Sequence, residues 1–81
     1  MKLQVVVASH CLSCEPAQAL AGELAEQCAG LMVEVVDLDA PGARAPDAAF
    51  AVPTYVLDGR VLWLGNPDPM EAVEHLQELC R

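Results

Sequence analysis

Basic residues are scarce in this chain: Lys2, Arg44, Arg60 and Arg81 stand against 12 acidic residues, a formal net charge of -8 over 81 residues. That balance opposes binding to phosphate backbones and to anionic lipid surfaces, so neither nucleic acid nor a membrane is expected as a partner. No apolar run approaches the ~20 residues of a membrane span. The apolar stretch at 5–8 is too short for the core of a secretory signal, and His10 and Cys11 stand where small residues would mark cleavage. A cytoplasmic location is therefore expected. Internal repeats, linkers and low-complexity segments are also missing, and a chain of this length accommodates one domain, spanning 1–81.

What is present is a globular composition, 54% apolar and rich in Val, Leu and Ala. Residues 3–8 form an almost continuous apolar run, the pattern of a strand buried on both faces of a sheet. From 16 to 29, Ala17, Leu20, Ala21, Leu24 and Cys28 recur at three- and four-residue steps, with Glu23, Glu26 and Gln27 opposite, which predicts an amphipathic helix. Pro16 fits in its first turn, where a missing N–H costs little, and Gly30 is placed to stop it. A second strand is expected over 32–38, and over 39–51 a loop, with room for one short helical turn before the third strand, where Pro41, Gly42 and Pro46 interrupt any longer pattern. Two β-prone runs, 54–57 and 60–64, flank Asp58-Gly59, a dipeptide suited to a two-residue hairpin. Asp68-Pro69-Met70-Glu71 then offers an N-cap, a first-turn proline and an acidic third position, opening a helix whose face would carry Met70, Val73, Leu76 and Leu79 or Cys80. The expected fold class is α/β: a four-stranded mixed sheet with flanking helices, in the order β-α-β followed by β-β-α.

Cysteines fall at 11, 14, 28 and 80. With a regular core and no secretory leader, a structural disulfide framework is not expected, and the close pair Cys11-Leu12-Ser13-Cys14 carries the interest. It sits where the first strand hands over to the first helix, which is expected to begin at or just after Cys11. Free N–H groups and the positive end of the helix dipole favour a thiolate there. One helical turn separates the cysteines, so Cys14 can attack a mixed disulfide formed between Cys11 and a substrate sulfur. His10 directly precedes Cys11; a protonated ring, or a ring N–H aimed at the sulfur, would tune the thiol toward its anion. Proline starts a strand more readily than it occupies a strand interior, and an X-Pro bond adopts cis at little cost, so a cis Val52-Pro53 bond fits the entry to the third strand.

The CxxC at a strand-to-helix turn, Val52-Pro53-Thr54 before an Asp-Gly hairpin, and the final helix together resemble the thioredoxin and glutaredoxin superfamily over nearly the whole chain. The resemblance implies a thioredoxin-like fold and thiol-disulfide exchange. It makes Cys11 the nucleophile and Cys14 the resolving cysteine, Pro53 the cis-proline facing the pair, and Val52 a source of backbone hydrogen bonds to an extended substrate. No cofactor and no metal are implied; the partners would be a disulfide-containing protein or small thiol, and a reductant. The chain departs from thioredoxin proper in having His10 before the motif, Leu12-Ser13 within it and no acidic residue in the first strand. It departs from glutaredoxins in having no basic residue near Cys11.

Two other functions fit the same residues. One is a non-catalytic binding or redox-sensing module that uses the groove beside Pro53. The other is a metal or iron-sulfur carrier, which would need further ligands from Cys28, His75, Cys80 or a second subunit. Cys28 is expected to pack on the apolar helix face, Cys80 to be more exposed, His75 to be at the surface and Trp63 to lie on a sheet face.

Overall fold

A computed structural model describes residues 1–8, 14–42 and 52–80. The valine-rich start forms β1 (Lys2–Val7), in which Leu3, Val5, Val6 and Val7 are fully buried. Burial of the consecutive residues Val5, Val6 and Val7 means that both faces of this strand are covered there, as its almost continuous apolar run predicts. Helix α1 (Cys14–Gln27) buries Cys14, Ala17, Leu20, Ala21 and Leu24 and leaves its glutamates outside. It ends two residues short of the expected 29, closed by a turn in which Leu31 N–H donates to the Cys28 carbonyl at 3.0 Å. Gly30, expected to stop the helix, lies within this turn, and its φ is not positive.

Strands β2 (Met32–Asp37), β3 (Thr54–Leu57) and β4 (Arg60–Leu64) complete a four-stranded sheet in the order β2-β1-β3-β4. β1 pairs parallel with β2 and antiparallel with β3, and β3 pairs antiparallel with β4, so the sheet is mixed and open. The β3–β4 turn is as tight as its sequence predicts: Asp58 and Gly59 both take positive φ, 49° and 85°. A bulge shifts the ladder between Tyr55 and Val56, opposite Leu62. Helix α2 (Pro69–Leu79) opens with the Asp68 carboxylate accepting from the backbone N–H groups of Met70 and Glu71 at 2.9 and 3.2 Å.

The core lies between one sheet face and the two helices. Leu3, Val5, Val7 and Tyr55 meet Ala17, Leu20, Leu24, Ala72 and Leu76 there, and α1 packs on β1, β2 and α2. Val6, Val36, Thr54 and Val56 on the opposite face are buried as well. The face expected of α2 needs correction: Leu76 is buried and Val73 half-buried, but Met70 is 73% and Leu79 44% exposed, and Ala72 turns inward instead. Ala72 and Leu76 belong to the buried cluster and Val73 and Cys80 pack against it, so of the two residues offered for the end of this face it is Cys80 that packs. The expected loop at 39–51 is described as far as Gly42, and residues 43–51 lie outside the described residues.

Candidate functional site

Of the proposed pair, Cys14 is described; Cys11 and His10 lie outside the described residues. Cys14 is the first residue of α1 and only 2% exposed. Its sulfur accepts the Ala8 N–H at 3.4 Å. The contact has a structural cause. The last ladder position of β1 is Val7, whose carbonyl takes the Leu38 N–H at 2.9 Å, and the next residue, Ala8, is itself buried. A buried N–H must find an acceptor, and here the acceptor is sulfur. A backbone donor aimed at a sulfur complements negative charge on it, as does the start of a helix.

Sheet register brings Val52 and Pro53 to the same end of the molecule. β1 and β3 run antiparallel with Val6 opposite Thr54, so the residue before Thr54 falls beside the C-terminal end of β1, from which the chain leads to Cys14. The Val52-Pro53 bond is cis. Pro53 is buried, Val52 half-buried, and the Pro53 carbonyl accepts the Gly65 N–H at 2.8 Å, which anchors the start of β3 to the end of β4. β1 is an interior strand, so Cys14, whose sulfur meets the Ala8 N–H, sits at the end of a central strand.

Tyr55 is a neighbour of the site that sequence reasoning passed over. It is fully buried, and its hydroxyl donates to Asn66 Oδ1 at 2.9 Å. Burial first, and the nearby charge of Cys14 second, push its phenol up to about 12. Its parity in β3 marks it as inward-facing, a readable signal; its pairing with Asn66 depends on the path of the 65–68 loop. The Tyr55 ring meets Trp63 edge-on at 5.7 Å, and Trp63 meets His75 at 6.0 Å. Trp63 thus bridges the core and α2, and His75 is exposed.

A surface depression of about 430 Å³ runs along α2, lined by Glu71, Glu74, His75, Gln77 and Glu78 and not by Cys14. Among the described residues no group of three or more His, Cys, Asp or Glu side chains converges as metal ligands would, and no helix is long and apolar enough to cross a membrane. Comparison with protein-family models and with curated proteins finds no match for this chain.

Proposed function

We propose that this chain is a small thiol-disulfide oxidoreductase with a thioredoxin-like fold, working through Cys11 and Cys14. The observation that carries the reading is the placement of Cys14, buried at the first residue of α1 with a backbone N–H on its sulfur. A sulfur so enclosed does not meet a large substrate directly. It is suited to attack from within on a bond held by a sulfur one helical turn away, the position of Cys11 in the sequence.

In the proposed cycle the Cys11 thiolate attacks a substrate disulfide, forming a mixed disulfide and expelling one substrate thiolate, which takes up a proton. Cys14 then gives up its proton and attacks the Cys11 sulfur. The Cys11–Cys14 bond forms, the bond to substrate breaks, and the second substrate thiol leaves. Substrate has been reduced by two electrons and the pair oxidised by two; a dithiol reductant restores it. His10 tunes the first thiol. The backbone at Val52, beside Pro53, aligns an extended substrate. The partners are disulfide-bearing proteins or small disulfides, and the setting is the cytoplasm.

Turnover is the test. With dithiothreitol as electron donor, the wild-type chain should accelerate reduction of the insulin interchain disulfides. Cys11→Ser should abolish the acceleration, and Cys28→Ala should leave it in place. Equal rates for wild type and Cys11→Ser would remove the proposal.

A further inference from the structure

Cys28 and Cys80 lie outside the site described above, and the fold brings them to one place. Cys28 directly follows α1 and is 2% exposed; Cys80 caps the C-terminus of α2 and is partly exposed. The two helices pack on each other, and near their C-terminal ends the Gln77 side-chain amide donates to the Gln27 carbonyl at 3.1 Å. The turn after α1 keeps Cys28 at this junction through the bond from Leu31 N–H to the Cys28 carbonyl. A β-carbon built on Gly30 would stand 3.9 Å from Cys80 Cβ, so Cys80 reaches the backbone of that same turn. Cys80 also packs against the buried cluster that contains Cys28. The thiols sense one another: burial first, and the charge of Cys80 second, push the Cys28 thiol up from its ordinary range.

We propose that Cys28 and Cys80 are a second thiol pair, closed to a disulfide by low-molecular-weight disulfides such as oxidised glutathione, and that this bond latches α2 to α1. The pair is separate from Cys14. Cys14 opens α1 and Cys28 follows its end; a helix of that length spans about 21 Å, too far for direct exchange within one molecule.

Exposure sets the order of events. The Cys80 thiolate attacks one sulfur of the small disulfide, forming a mixed disulfide and releasing one thiolate, which takes up the proton Cys80 lost. Cys28 then deprotonates and attacks the Cys80 sulfur. The Cys28–Cys80 bond forms, the bond to the small thiol breaks, and a second small thiol leaves. Two protein thiols are oxidised and one small disulfide is reduced to two thiols. Because Cys28 is buried, it acts as the resolving thiol and not as the first to meet the small disulfide.

The test uses the wild-type chain, reduced, exposed to oxidised glutathione under mildly alkaline conditions, alkylated, and cleaved after glutamate without reduction. Such cleavage separates Cys28, in peptide 27–34, from Cys11 and Cys14, and leaves Cys80 in 79–81. The expected product is 27–34 joined to 79–81. Cys28→Ala should instead keep one glutathione on Cys80. Closing the loop between these positions should raise the melting temperature of oxidised over reduced protein by about 10 °C or more. The same shift is expected in Cys11→Ser, which separates this pair from the proposed active site. Persistent glutathione on Cys80 in the wild-type chain, Cys80 joined to Cys11 or Cys14, or an unchanged melting temperature would each overturn the proposal.

Discussion

Tyr55 couples the core to the end of the sheet where Cys14 lies, because a wholly buried ring places its hydroxyl on an exposed asparagine, Asn66. Tyr55→Phe should cost about 1 kcal/mol in urea unfolding, since the asparagine oxygen recovers water once the hydroxyl is gone. Its ionisation has a signed consequence. The folded phenol keeps its proton up to about 12, whereas in the unfolded chain it is lost near ~10. The contribution is therefore complete below the unfolded value and lost as pH rises from there toward the folded one. Melting curves across that window should fall for wild type and fall less for Tyr55→Phe. The raised Cys28 thiol acts in the same direction in both proteins, so their difference isolates the tyrosine. At Cys14, the Cys14→Ser chain should accumulate a mixed disulfide with substrate that wild type does not hold, visible by mass spectrometry. The spacing of Cys11 and Cys14 is legible in the sequence. The burial of Cys14 and the Ala8 N–H on its sulfur are not, because both depend on where β1 stops pairing and how closely α1 returns to it.

Elements whose signals are local follow their residues closely. The Asp58-Gly59 turn needs positive φ at adjacent positions and has it, so Gly59→Ala should cost roughly 1–2 kcal/mol through the left-handed conformation it would impose on a side chain. The Asp68 cap satisfies two N–H groups of α2. Asp68→Ala should therefore cost about 1 kcal/mol in chemical unfolding, whereas a loss near zero would show that water replaces the carboxylate without penalty. Elements whose burial depends on neighbours are less legible. Hydrophobic periodicity in α2 marks a stripe including Met70 and Leu79, yet only the part facing α1 is covered. Met32 is 67% and Val35 44% exposed although the valine-rich pattern of β2 resembles that of β1; β2 is an edge strand and β1 is central. Gly30, expected to stop α1, lies three residues past its end in the turn that approaches Cys80.

For the molecule as a whole, sheet order is the organising fact. Putting β1 between β2 and β3 brings the end of β1, the start of α1 and the start of β3 to one end of the sheet, while the C-termini of α1 and α2 meet elsewhere. α1 thus separates two cysteine-bearing regions with different expected chemistry: exchange with substrates at its start and a latch at its end. The net charge of -8 acts on the whole chain, and the Lys2–Glu34 ion pair, 3.7 Å apart with both side chains about half exposed, offsets little of it. Shortening the screening length from ~10 Å to ~3 Å with added salt should therefore raise the melting temperature, and a fall would show that attractive pairs dominate. The proposed activity requires Cys11 and Cys14 to form a reversible dithiol–disulfide couple. Its most direct test is mass-spectrometric mapping of the wild-type chain equilibrated across a series of glutathione redox buffers. A Cys11–Cys14 bond should open and close reversibly as the buffer is changed; two free thiols at these positions throughout the series would overturn the proposed couple.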